Sequence, residues 1–143
     1  MVDYGSVWVT GYEKSELYRI DPKTNIITSI IPLNQTPRFL ASGEGSIWVL
    51  TQGDGTVQRI DGQTGKVTAT IETRAAGGGG DIATGGGYVW MSMPGIPVAQ
   101  IDPKTSTLIR KFVGGIGFGD AIRYGAGSLW VSGSSIHGIQ PPN

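Results

Sequence analysis

One short phrase is written four times along this chain: Gly5-Ser6-Val7-Trp8-Val9, Gly45-Ser46-Ile47-Trp48-Val49, Gly87-Tyr88-Val89-Trp90-Met91 and Gly127-Ser128-Leu129-Trp130-Val131. The tryptophans stand at 8, 48, 90 and 130, in steps of 40, 42 and 40 residues, and the chain has no others. A period of this length marks a repeat architecture, in which each unit is one supersecondary element that buries its apolar face against its neighbours.

Between the phrases the sequence alternates short β-forming runs with turn residues. In the first unit the runs are 6–10, 17–20, 26–31 and 39–41, and the turn Asp21-Pro22-Lys23-Thr24-Asn25 separates the second from the third. The second unit repeats this order with Gly53-Asp54-Gly55 as a hairpin turn, runs at 57–60, 66–71 and 81–83, and Asp61-Gly62-Gln63-Thr64-Gly65. The third unit has runs at 98–101, 108–113 and 121–122 around Asp102-Pro103-Lys104-Thr105-Ser106, and the fourth has only Trp130 and 136–139. Pro after Asp presets φ for a turn, and the Asp carboxylate can accept from the amide two residues on. No stretch shows helical periodicity. Fourteen strands, grouped four, four, four and two, predict an all-β chain of four-stranded antiparallel sheets, the blades of a β-propeller. The repeat units run about 5–42, 43–84, 85–124 and 125–143 within a single partial propeller domain of 1–143.

Composition narrows function by exclusion. Eleven Lys and Arg against eleven Asp and Glu give no net charge, whereas nucleic acid and anionic membranes call for a basic patch. No cysteine is present, so disulfides, thiolate catalysis and Cys-ligated zinc are excluded. No apolar run is long enough to cross a bilayer and no basic-then-apolar leader follows Met1. These features fix no compartment. The 24 glycines gather before the tryptophan strands and in turns, as short strands joined by tight connections require.

The Gly-Ser-x-Trp-Val phrase, the segment Val57-x-Arg59-Ile60-Asp61-x-x-Thr64-Gly65-x-Val67 and the phrase Pro37-Arg38-x-Leu40-Ala41 resemble the repeats of YVTN-type propellers. They resemble those of virginiamycin B lyase-like propellers equally. The resemblance runs from Gly5 to about Ile139 and is specific for architecture, not activity. It implies that the strands at 39–41, 81–83 and 121–123 are innermost and line an axial channel, with the Trp strand second, the Ile-Asp strand third and the Ile-rich strand outermost. In that frame the first blade lacks its inner strand and the last its outer one, leaving about three and a half blades. Such an array is either a piece of a longer propeller or one of several identical copies that close a ring. Two copies would supply 28 strands, enough for seven blades of four, but the unlike ends fit an eight-bladed dimeric ring with some three-stranded blades better. A homodimer is the expected partner state.

The candidate residues follow from the same frame. The four tryptophans read as the same slot filled between blades, the competing reading being stacking platforms for sugars or quaternary ammonium groups. Asp21, Asp61 and Asp102 read as turn caps, not metal ligands, since equivalent positions lie about a blade apart. Gly53-Asp54-Gly55 lacks the remaining positions of a calcium loop. His137 is the only histidine, which excludes a His-rich zinc site and leaves a Ser-His-Asp triad unsupported. In the virginiamycin B lyase-like enzymes the resemblance implies a catalytic His and Glu near the channel mouth and a magnesium ion. Here Arg38 stands after Pro37 where a Pro-His-Gly-Ile phrase often lies, and His137 falls in another strand, so that chemistry does not carry over.

The expected ligand site is the channel mouth, lined by polar residues at the starts of the inner strands: Arg38, Asp81 and Asp120. Arg38, Gly80 and Asp120 are equivalent when counted back from each tryptophan, and Phe39, Asp81 and Ala121 are the next position. The bland alternative has Asp81 and Asp120 bonded to amides of the next blade and Arg38 paired with one of them. The glycine loops 76–80 and 114–119 flank the same mouth and are a weak anion cradle. The function expected is a non-catalytic scaffold or binding module for a protein or small ligand, without metal or cofactor. The competing class, a metal-dependent lyase- or hydrolase-like propeller, would have to draw on Asp81, Asp120 and Glu44.

Overall fold

The structure is a computed structural model that describes residues 1–112, 120–133 and 137–139. The loop 114–119, residues 113 and 136 and the side chain of His137 lie outside the described residues. The chain is all-β. Three sheets have four strands and one has three, each a simple antiparallel meander. The first comprises β1 (Val2–Asp3), β2 (Ser6–Gly11), β3 (Glu16–Ile20) and β4 (Ile27–Pro32). The second comprises β5 (Pro37–Gly43), β6 (Ser46–Thr51), β7 (Thr56–Ile60) and β8 (Val67–Glu72). The third comprises β9 (Asp81–Gly85), β10 (Tyr88–Met93), β11 (Ile96–Asp102) and β12 (Thr107–Phe112), and the last comprises β13 (Ile122–Gly125), β14 (Ser128–Val131) and β15 (His137–Ile139).

β1 corrects one expectation. The first blade does have an inner strand: Val2 and Asp3 pair with Val7 and Ser6, the Met1 ammonium donates to the Trp8 carbonyl at 3.0 Å, and the Trp8 amide donates back to Met1 at 2.8 Å. The pairing follows from the turn. Tyr4 and Gly5 have φ of 49° and 66°, as do their counterparts Glu44-Gly45, Gly86-Gly87 and Ala126-Gly127 in the same left-handed range. Two consecutive positive φ values make a type I′ hairpin, whose twist matches the strands it joins.

β5, β9 and β13 lie side by side, whereas the outer strands β8 and β12 barely meet. The sheets therefore radiate from the inner strands as blades do from an axis. Each Trp indole donates to the carbonyl five residues before it, at 3.0 Å to Asp3, 3.0 Å to Gly43, 2.9 Å to Gly85 and 3.1 Å to Gly125. This fixes the four rings in one pose, pointing to the same side of each blade.

The core consists of the three seams between blades. Trp8 and Leu17 of the first blade pack on Ile47, Val49 and Ile60 of the second. Trp48, Leu50 and Val57 pack on Ile82, Val89, Met91 and Ile101 of the third. Trp90 and Val98 pack on Ile122, Leu129 and Val131 of the last. One rule covers all three: the Trp face of each blade lies on the aliphatic face of the next.

Burial within the Trp strands shows where this series stops. β6 is buried at every position, being covered on both faces. In β2 the Trp8 side is buried and Val9 on the other side is exposed, while in β14 the order inverts, with Leu129 and Val131 buried and Trp130 exposed. The first blade thus shows its aliphatic face to solvent and the last its Trp face.

Candidate functional site

The ends of the inner strands opposite the I′ turns define the mouth. Arg38, Asp81 and Asp120 all stand there, the first two at the starts of β5 and β9 and Asp120 two residues before β13. Arg38 occupies a bulge, because the register slips between Pro37 and Phe39. Its carbonyl accepts from the Thr10 hydroxyl of the first blade at 3.1 Å, and the Asp120 carbonyl accepts from the Ser92 hydroxyl of the third blade at 3.4 Å. Thr10 and Ser92 are equivalent positions, two residues past their tryptophans. The same cross-blade bond therefore pins the backbone under both residues and leaves both side chains exposed.

The side chains take different partners. The Arg38 guanidinium lies 5.9 Å from the Tyr12 ring centroid and 5.4 Å from that of Phe39, within cation–π range. Among the described residues it pairs with no acidic side chain. Asp81 is buried and engaged: it forms an ion pair with Arg123 and accepts from the Ile122 amide at 3.3 Å, both in the next blade, and from the Ile82 amide at 2.9 Å. Asp120 is exposed, and its own amide donates to the Ser132 carbonyl at 3.0 Å.

The loop 76–80 is held by Gln52, whose side-chain amide donates to the Gly79 carbonyl and whose own carbonyl accepts from the Gly77 amide at 2.9 Å. Gly80 has φ of 86°, and a Cβ there would lie 2.1 Å from the Ser92 carbonyl oxygen. This is close approach of backbone to backbone, which only glycine allows.

Inside the mouth the inner strands enclose a cleft of about 340 Å³, lined among others by Met1, Leu40, Ser42, Ile82, Arg123 and Tyr124. Its walls are mixed, with aliphatic, hydroxyl and guanidinium groups converging. Two contributors are legible only by comparing repeats. Arg123 pairs with Trp130 across the strands, where Ala41 and Ala83 pair with Trp48 and Trp90. Tyr12 lies in the loop after β2, and nothing local to it announces a role.

The other sequence candidates lie elsewhere. The Asp21, Asp61 and Asp102 carboxylates accept from amides two residues on at 2.8, 2.9 and 2.8 Å, at the opposite end of the blades from the mouth. Those of Asp61 and Asp102 sit below the usual carboxylate range, held there first by the amides of Thr64 and Lys104 respectively. Asp54 receives the Asn34 side-chain amide at 2.7 Å. Among the described residues no three His, Asp or Glu side chains gather closely enough to hold a metal ion.

Fold and blade geometry make the chain a β-propeller array, with three four-stranded antiparallel blades and a fourth of three strands among the described residues. Solved structures show the same architecture. The computationally designed Ika4 protein superposes with a TM-score of 0.81 at 15% identity, over 97% of this chain and 87% of that one. BamB from Moraxella catarrhalis gives 0.73 at 14% identity over 93% of this chain and 39% of its own. Hydrazine synthase from Kuenenia stuttgartiensis gives 0.73 at 14% identity over 96% and 47%. At these identities the likeness is one of fold, and this chain spans less than half the length of the last two. No protein-family model and no curated protein matches the sequence.

Proposed function

We propose that the chain is a non-catalytic binding module of YVTN-like repeats, taking a protein segment or small ligand at its channel mouth in a ring completed by further copies of itself. One observation carries the reading: Arg38 and Asp120 display unlike side chains on equivalent rungs of a lattice pinned by the same cross-blade bond. Scaffold positions repeat their residue, as the tryptophans do, while a recognition surface varies the side chain over a constant backbone. The cation on its aromatic bed and the exposed carboxylate would select a segment with complementary charge, and the cleft behind them would admit an apolar tip.

The experiment is selection of peptides from a random displayed library against the purified chain. Binding of the selected peptides is expected to fall at least about tenfold on Arg38→Ala or Asp120→Ala, as loss of one charged contact implies, and to be unchanged on Lys66→Ala. Peptides indifferent to both mouth substitutions would overturn the reading. So would a rise in melting temperature with millimolar magnesium or calcium, since an ion that prefers the native state must raise it.

A further inference from the structure

The first and last blades leave unlike faces open. On the first blade, Val2, Val7, Ile20 and Ile27 form one rung across the sheet, and Val9, Tyr18 and Ile30 form the next. Val2 is 72% exposed, Val9 43%, Ile27 50% and Ile30 54%. In the second blade the positions of Val7, Val9 and Ile20 are held by Ile47, Val49 and Ile60, which are fully buried under Trp8. On the last blade Trp130 is 48% exposed beside a cleft of about 200 Å³ lined by Ala121, Ile122, Arg123, Val131 and Ser132. An aliphatic face without its tryptophan and a tryptophan without its aliphatic face stand at opposite ends of one repeat. Exposed apolar surface of this kind marks an association site.

The geometry points to a second copy of this chain as the occupant of both faces, with Trp130 of each copy seated on the Val7, Val9 and Ile20 face of the other. This rests on the half-ring reading above and names its partner surfaces. The argument is continuity: the joint is the fourth term of a series whose first three terms are the chain's own core. Each seam joins unlike faces, so the contact is head-to-tail, and two copies meet at two identical seams to close a ring of eight blades. The mouth is then lined twice by Arg38 and Asp120, and the site of one copy is incomplete without the other.

Complementation tests this directly. Light scattering on a sizing column is expected to give the mass of two chains for the parent. Trp130→Glu spoils the tail face in both seams and Val9→Glu the head face in both, so each variant alone is expected at the mass of one folded chain. Mixed, they can still form one intact seam, Trp130 of the Val9→Glu chain on Val9 of the Trp130→Glu chain, and two-chain mass returns. Ile30→Glu replaces Val9→Glu if the latter is poorly folded by circular dichroism. A Val9→Glu variant that still pairs, or a mixture that stays single, overturns head-to-tail closure. A parent of one-chain mass whose peptide binding still depends on Arg38 overturns closure and leaves the mouth reading standing. Two-chain mass with binding indifferent to Arg38 does the reverse.

Discussion

The Arg59 guanidinium lies 5.2 Å from the Trp48 ring centroid and donates past it to the Pro103 carbonyl of the next blade at 2.8 Å. Arg19 repeats this on Trp8, at 5.3 Å, and donates to the Gln63 carbonyl at 2.9 Å. Each arginine also donates to a serine of its own blade, Ser46 or Ser6. These two seams are thus apolar contacts closed on their outer side by a charged latch. Removing the latch by Arg59→Ala should cost about 1–2 kcal/mol, the range of a partly solvated charged hydrogen bond with its cation–π contact. Urea unfolding checks this.

The same slot has different worth at different blades. Trp48 is wholly buried and Trp130 half exposed. Trp48→Ala should cost about 3–5 kcal/mol by opening a cavity. Trp130→Ala, in chains kept apart by Val9→Glu, should cost less than about 2 kcal/mol, since part of its apolar surface is already wet. Equal losses would mean that the last blade is already covered within a single chain.

Gly62 stands where the other two Asp turns carry Pro22 and Pro103, yet a Cβ at 62 would lie 2.2 Å from the Tyr4 ring. Gly62→Pro, the residue its counterparts use, should therefore lower stability by about 1–3 kcal/mol through overpacking. Adding Tyr4→Ala should recover much of that loss. Additive effects in the double variant would deny the contact.

Acid should loosen the turns at the far end. The depressed Asp61 carboxyl favours the fold above the ordinary carboxylate pKa of about 3.9 and stops doing so as pH falls through its lower folded value. Asp102 acts alike, and so does Asp3, lowered first by the Ser42 hydroxyl and then by the Tyr4 amide. Melting temperature should hold steady in this respect from pH 5 to neutrality and drop below about pH 4. Asp61→Ala should melt lower than the parent at pH 7, with the difference shrinking as pH falls below the ordinary carboxylate range and through the lowered folded value.

The blades were legible because their tryptophans recur in strict register and the strands between them are bounded by Asp turns. β1 was not, since two residues carry no periodicity of their own. Its only announcement was Tyr4-Gly5, which matches Glu44-Gly45 in place but not in residue type. At the mouth, sequence could list Arg38, Asp81 and Asp120 as strand starts, but not their partners. Asp81 meets Arg123 across 42 residues of chain, and Arg38 meets Tyr12 across 26. Such pairings depend on how far each side chain reaches across a seam, which blade geometry sets and spacing does not.

The latch series also makes the closing joint distinctive. Trp8 pairs across the strands with Arg19 and Trp48 with Arg59, but Trp90 pairs with Gln100 and Trp130 with Gly138. At the proposed joint between copies the latch position is a glycine, so no guanidinium from that position would cover the Trp130 ring. That joint should be the weakest of the four and the first to open on dilution. Gly138→Arg would place a guanidinium over Trp130, within reach of the Ser128 hydroxyl and of the Asp21 turn of the partner copy. It should tighten the dimer by about tenfold, corresponding to roughly 0.7 kcal/mol at each of its two seams, as read from the mass of the complex across a dilution series. The gain should disappear in Gly138→Arg combined with Trp130→Leu, which keeps an apolar side chain but removes the ring on which the cation rests. An unchanged dissociation constant would mean that the joint does not repeat the geometry of the internal seams.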